Sequence, residues 1–183
     1  MLKEYFAKLY KQDRDTFFSE MTCALETGER HFVVTANPET LMIAEGCAEF
    51  DALLSRDTTT LLPDGIGVVR AAQRLGYEMH GRVTGVDLSA HLLAEANRLR
   101  LCVYLYGATE EVLQALVQKL SVTHPSLVLV GAKNGYDLSR EEVLEDAVRQ
   151  APDVFLVALG IPEQELLLSR YLPRFEKGIL GGV

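Results

Sequence analysis

His31-Phe32-Val33-Val34-Thr35-Ala36-Asn37-Pro38-Glu39 holds the end of a strand, a corner and the start of a helix in nine residues. The run 31–35 is β-rich, its Phe32-Val33-Val34 centre an unbroken apolar stretch, as in a strand covered on both faces. Asn37 is a good N-cap and Pro38 a good first helical residue, so a helix should follow at once and run to about residue 55. The pattern recurs at Leu62-Pro63-Asp64-Gly65-Ile66-Gly67, where a brief strand, 59–62, gives way to a helix through Val68, Val69, Ala71 and Ala72 that Asp64 is placed to cap.

Outward from these two corners the alternation continues. Phe17, Phe18, Met21, Ala24 and Leu25 fall at helical spacing over 15–27, and Gly28 ends that helix. Thr84 with Asp87 resembles a capping box opening a helix to about Arg98. An apolar strand, 101–106, closes on Gly107 before a helix over 109–122. A strand at 127–130 precedes a helix that Ser139 and Glu142 open as a better capping box and that ends near Gln150. The strand 154–159 leads through Gly160 into a Pro162-initiated helix to about residue 172, and Ile179 begins one more strand. Residues 1–13 mix charge with Tyr5, Phe6, Leu9 and Tyr10 and give no clear assignment. Apolar strands alternating with helices predict a Rossmann-like α/β fold, a parallel sheet with helices on both faces. No repeat, low-complexity tract or linker divides the chain, so a single domain is expected over 1–183, with 1–30 as its N-terminal helical segment.

Composition narrows the functions. The 183 residues suffice for one substantial core, and 48% hydrophobic with 24% charged residues is ordinary for a globular protein. A net charge of −8 and a pI near 5.0 disfavour nucleic acid as a partner, and disfavour binding to anionic membrane through these residues alone. Cys23, Cys47 and Cys102 are odd in number, widely spaced and lack CxxC pairing; they read as buried thiols in a reducing cytoplasm. Charge follows Met1-Leu2-Lys3-Glu4-Tyr5 where a signal peptide would be apolar. No stretch approaches the length that crosses a bilayer. A soluble cytoplasmic protein is expected.

Several familiar signatures are absent. Gly65-Ile66-Gly67 begins a GxG, but Arg70 stands where the third glycine belongs, so the dinucleotide fingerprint fails. There is no Walker lysine loop, HExxH or GxSxG elbow. The remaining candidates are strand ends. Thr35 and Asn37, Asp64, and Gln164 in Gly160-Ile161-Pro162-Glu163-Gln164-Glu165 each have a plain reading as cap or solvated first-turn residue. What joins them is position: C-terminal ends of parallel strands share one edge, where open α/β sheets bind ligands. Gly107 and Gly160 mark the same edge. Arg82, in a loop leading into a capped helix, is one of few cations there and suits an anionic phosphate. Asn134-Gly135-Tyr136 is most simply a turn, with Tyr136 available to stack on a base. His31, His80, His91 and His124 show no ligand or triad spacing. Glu110-Glu111 and Glu141-Glu142 are acidic first turns that suit helix dipoles.

Taken in order, Thr35-x-Asn37, Pro63-Asp64-Gly65-x-Gly67, Gly81-Arg82-Val83-x-Gly85-x-Asp87, Gly135-Tyr136 and Ala158-Leu159-Gly160-x-Pro162-x-Gln164-Glu165 resemble the WecG/TagA/CpsF family of bacterial glycosyltransferases. The resemblance runs from about His31 to the C-terminus and implies the same parallel α/β sheet. It implies transfer of a sugar, commonly N-acetylmannosamine, from a UDP-sugar to a polyprenyl-diphosphate-linked N-acetylglucosamine, feeding wall teichoic acid, enterobacterial common antigen or capsule-type polymers. Asp64 then matches the family's proposed catalytic base. Thr35 and Asn37 match residues lining the catalytic pocket, and Arg82 and Gln164 match residues near the nucleotide-sugar. Before His31 the usual opening strand pattern is missing. The family often has lysine where Glu163 stands. It also continues into a basic C-terminal tail linked to membrane association and site closure, whereas this chain stops at Gly181-Gly182-Val183, either truncated or with that segment not seen.

These residues suit an inverting transfer. Asp64 would take the proton of the acceptor hydroxyl, while Arg82 and helix N-termini would offset charge on the departing diphosphate. No Asp-x-Asp pair is present to hold a bridging metal, so a metal-independent reaction without a cofactor is expected. One loop arginine beside a net charge of −8 leaves a charge deficit, which a basic tail would fill while holding the enzyme at the inner face of the membrane. The reading from another class is a non-catalytic nucleotide-sugar-binding module, in which Thr35, Asn37 and Asp64 are caps alone. A dehydrogenase is weakened by the broken fingerprint. Self-association is expected from the resemblance and from Leu166, Leu167, Leu168 and Tyr171, which exceed what one helix face can bury.

Overall fold

The computed structural model describes residues 2–183. In chain order the elements are α1 (Leu2–Lys8), α2 (Arg14–Thr27), β1 (Arg30–Ala36), α3 (Pro38–Gly46), α4 (Ala48–Leu54), β2 (Thr59–Pro63), α5 (Ile66–Arg74), α6 (Gly85–Leu99) and β3 (Cys102–Gly107). There follow α7 (Glu110–Thr123), β4 (Val128–Lys133), α8 (Arg140–Gln150), β5 (Val154–Ala158), α9 (Glu163–Tyr171), a 3₁₀ turn (Leu172–Arg174) and β6 (Gly178–Gly182). The six strands form one sheet in the order β2-β1-β6-β5-β3-β4, and every pairing is parallel, as the apolar runs predict.

Successive side chains of a strand point to opposite faces, and here each face has its own core. From β5, Phe155 and Val157 enter the core shared with α1, α3, α4, α5, α8 and α9. Val154 and Leu156 enter the other, shared with α2, α6 and α7. In β3 the split is Tyr104 and Tyr106 against Val103 and Leu105. Tyr104 also donates its hydroxyl to Asp146 at 2.8 Å, tying α8 to the sheet.

The elements differ from the sequence reading in places with local causes. The helix expected over 38–55 breaks into α3 and α4, because Cys47 after Gly46 is extended (φ −130°, ψ 100°). The unassigned start forms α1, whose Tyr5 and Phe6, with Leu9 just beyond, are buried against α4 and β2. Strand β4 continues past residue 130 to Lys133, with Gly131 lying against the ring of Tyr104. Asp64 does not cap α5. Gly65 holds the cap position without a side-chain bond, and the Asp64 carboxylate turns instead to the backbone N–H of Gly85 at 3.4 Å. The Thr84–Asp87 box is half formed. Thr84 Oγ accepts from the Asp87 N–H, but the Asp87 carboxylate accepts from the Thr84 hydroxyl and not from its N–H. Ser139 and Glu142 make the full box.

Two expectations about burial are corrected. None of the cysteines is buried: Cys23 is exposed on the outer side of α2, while Cys47 at the α3–α4 joint and Cys102 at the start of β3 are half-buried. The apolar residues of α9 find partners within the chain. Leu168 is buried, and Leu166, Leu167 and Tyr171 pack on the same core, since α9 meets α4, α8 and β6 on different sides. The apolar surplus that suggested self-association is thereby accounted for.

Candidate active site

Parallel pairing brings Ala36, Pro63, Gly107, Lys133, Ala158 and Gly182 to one edge of the sheet. The residues singled out in the sequence lie along it in two groups. Thr35, Asn37, Asp64 and Arg82 gather at the ends of β1 and β2; Gly107, Tyr136, Gly160 and Gln164 gather around β3 and β5. Strand β6 separates them, so β1 and β5 are two strand spacings apart, about 9.5 Å.

In the first group the backbone sets the positions. The Asp64 N–H donates to the carbonyl of Ala36 at 2.9 Å, and the Val83 N–H donates to the carbonyl of Pro63 at 3.2 Å. These two bonds bring the loop carrying Arg82 against the corner carrying Asp64. Asp64 is half-buried, and its bond to Gly85 reaches the first turn of α6. Gly85 in turn sits against the methyl group of buried Thr35 and the backbone of Val183. Asn37 is the cap its sequence predicts, with Oδ1 accepting from the N–H and the hydroxyl of Thr40 at 2.9 and 3.1 Å. The Arg82 side chain is exposed and has no hydrogen bond or ion pair among the described residues.

Beside the second group lies a cavity of about 250 Å³ lined by Ala108, Gly135, Tyr136, Arg140, Ala158, Leu159 and Glu163; of the residues predicted from the sequence, Tyr136 lines it, while Gly107, Gly160 and Gln164 do not. The topology explains its place. Helix α7, after β3, packs on one face of the sheet, and α9, after the neighbouring β5, packs on the other. Chains leaving adjacent strands in opposite directions open a crevice between them. Gly107 lets the strands stay close there: at φ +114° it follows a path L side chains rarely take, and a Cβ would lie 2.1 Å from the carbonyl oxygen of Ala158. The Asn134 side chain, buried, accepts the N–H groups of Tyr136 and Asp137 and donates to Glu110 and Asp137, making a braced Asx turn. That turn holds Tyr136 outward, 76% exposed.

Gln164 is 3% exposed and already engaged. Its Oε1 accepts the N–H groups of Leu159 and Gly160, each at 3.0 Å, and its Nε2 donates to Glu165 at 2.8 Å. It braces the turn after β5, with the Gln164 and Glu165 side chains lying against Gly182. Glu165 is 1% exposed; its Oε2 has no partner, and burial pushes its carboxyl above the usual range. Sequence reasoning missed the Arg140–Glu163 pair. Each is the first residue of a helix, and nothing local marks them as neighbours.

A larger cavity, about 460 Å³, lies at the opposite edge of the sheet, lined in part by Arg30, Arg56, Asp57 and Leu172. Arg30 there donates to the carbonyls of Leu172 and Phe175, fastening the 3₁₀ turn. None of the candidate site residues lines it. Among the described residues no group of three or more His, Cys, Asp or Glu is placed to hold a metal ion, and no helix is long and apolar enough to cross a membrane.

A protein of Bacillus spizizenii is 32% identical over 162 residues, covering 88% of this chain and 63% of its own length. One of Bacillus subtilis is 32% identical over 175 residues, covering 90% and 68%. One of Staphylococcus aureus is 31% identical over 152 residues, covering 83% and 59%. All three are named N-acetylglucosaminyldiphosphoundecaprenol N-acetyl-beta-D-mannosaminyltransferase. The chain thus spans between about three fifths and two thirds of each relative. The family described as glycosyl transferase WecG/TagA/CpsF matches residues 7–183, from within α1 through β6, and the chain belongs to that family.

Proposed function

We propose that this chain carries the sugar-transfer site of an inverting glycosyltransferase. In this reading the donor is a UDP-sugar, with N-acetylmannosamine as the sugar, and the acceptor is N-acetylglucosamine on a polyprenyl diphosphate. The observation that carries it is the setting of Asp64. A half-buried carboxylate is fixed by its own backbone to β1, faces the first turn of α6, and shares its corner with Thr35 and the Arg82 loop. Held there, Asp64 can accept the proton of the attacking hydroxyl as that oxygen approaches the anomeric carbon. The β-configured product named for the relatives requires attack opposite the leaving group of an α-linked donor, so the base and the diphosphate belong on opposite sides of the sugar. In this reading Asp64 at β2 takes one side and the β3–β5 crevice the other, with Tyr136 on its rim for the base.

The test is a transfer assay with UDP-N-acetylmannosamine and a short-chain lipid-diphosphate N-acetylglucosamine, reading the disaccharide and its anomeric configuration. A β-linked product is expected. UDP binding with no product from any UDP-sugar of a panel would leave a binding module and overturn the enzymatic reading.

A further inference from the structure

The cavity between β3 and β5 carries one ion pair. Arg140, first residue of α8, donates through Nε to Glu163, first residue of α9, at 2.7 Å. Its Nη1 donates to the carbonyl of Gly135 at 2.7 Å and reaches the Tyr106 hydroxyl at 3.4 Å. Helix α9, strand β3 and the Asn134 turn therefore hold the guanidinium in place at the wall of the crevice. As a source of stability the pair counts for little: the side chains are 39% and 52% exposed, and such pairs contribute about 0–1 kcal/mol. As chemistry it is better placed. Among the described residues Arg140 is the one cation lining this cavity, and the carboxylates of Glu110 and Asp137 are turned to the Asn134 amide. Glu163's hydrogen bond also raises the guanidinium's proton affinity, so its charge is permanent. A planar guanidinium with N–H groups to spare is the side chain that grips phosphate oxygens in pairs.

We propose that Arg140 receives the donor's diphosphate in the β3–β5 crevice, and that Glu163 holds the guanidinium in position in the empty site and yields it when the diphosphate arrives. This rests on the nucleotide-sugar reading given above. Glu163 occupies the position of an anionic oxygen at the cavity's lip, so exchange replaces one charge-assisted bond with others. A half-exposed carboxylate returns to water at small cost, and the diphosphate brings more negative charge than the carboxylate it displaces. Because the Gly135 carbonyl keeps its own bond to Nη1, the cation is presented without swinging in from solvent, which limits the ordering that binding requires.

Calorimetry with UDP, uridine and inorganic pyrophosphate on the wild-type chain and on Arg140→Ala, Arg140→Lys and Glu163→Gln tests this. Thermal melts of each variant check its folding. Arg140→Ala should weaken UDP and pyrophosphate about tenfold or more, the scale of hydrogen bonds to a charged group, while leaving uridine unchanged. Arg140→Lys should recover part of the loss, since it keeps the charge without the fork. Glu163→Gln should tighten UDP by about twofold to fivefold, because the internal competitor is gone. UDP affinity within twofold of wild type in folded Arg140→Ala would overturn the proposal and leave the nucleotide-sugar reading standing. Arg140-dependent binding of pyrophosphate, with no binding of UDP, would sink the nucleotide-sugar reading and leave the phosphate role intact. Absence of binding by both ligands to the wild-type chain would overturn both.

Discussion

The two ends of the site edge are built differently. At β1 and β2 the structure is open: Asp64 is half-buried, Arg82 reaches into solvent, and backbone bonds position the loops. Around β3 and β5 it is closed and braced: Gly107 packs against Ala158, Gln164 clamps the 159–160 turn, and Asn134 locks the next one. An open corner suits a carboxylate that must meet an incoming hydroxyl. A braced crevice suits a ligand that must be held in one place. On the proposed reading, the difference teaches that one row of strand ends can divide its labour, reaction at one end and retention at the other.

Substitutions that strike one end and spare the other sharpen that division. The largest effect expected is on rate. Asp64→Asn keeps the shape but cannot take a proton, so transfer should fall by about a hundred- to ten-thousand-fold, while UDP affinity in calorimetry stays near wild type. Full turnover in this variant would place the base elsewhere. Next, Gly107→Ala sets a methyl group against the carbonyl of Ala158 at a positive φ. Strain and overpacking of about 3 kcal/mol should lower the melting temperature by roughly 6–12 °C in thermal denaturation. An unchanged melt would mean that the crevice wall gives way freely. Tyr136→Ala should then weaken UDP and uridine alike by about 5- to 100-fold, the scale of one aromatic–base stack, and leave pyrophosphate unaffected.

The smallest effect tests the buried carboxyl between the two ends. Glu165 is raised from its ordinary 4.5, with burial as the first cause, so the folded chain binds this proton more tightly than the unfolded chain does. Burial therefore costs nothing through ionisation below about pH 4.5, and an increasing amount as the pH rises toward the folded value. Glu165→Gln should melt a few degrees above wild type at pH 7, with the advantage vanishing near pH 4. A gain of equal size at both pH values would remove ionisation as its cause.

Much of this was legible before any coordinates. Apolar runs such as 31–35 and 154–159, each ending at a corner rich in Asn, Pro or Gly, announce parallel strands and the edge they share. Asp64 and Asn37 lie where those corners place them. What escaped depends on distance along the chain. The meeting of Arg140 with Glu163 is set by how α8 and α9 cross, and no local pattern encodes that. Gln164 looks like a solvated first-turn residue until β6 is seen to lie beneath it. Asp64 looks like a helix cap until Gly85, twenty-one residues on, offers a donor. Composition misled at the cysteines, since the rule that thiols are buried describes averages and Cys23 happens to face outward.

The sixth of the described strands lies third in the row. Residues 178–181 pair with 30–33 on one side, and 179–182 pair with 154–157 on the other. Until β6 arrives, β1 with β2 and β3 with β4 and β5 are two separate ribbons, each with a bare rim of N–H and C=O groups facing the gap. About 140 residues of the chain separate the first strand from this keystone, so the central pairings are long-range and close slowly. The distance between the carboxylate corner and the crevice is therefore set by the width of one five-residue strand.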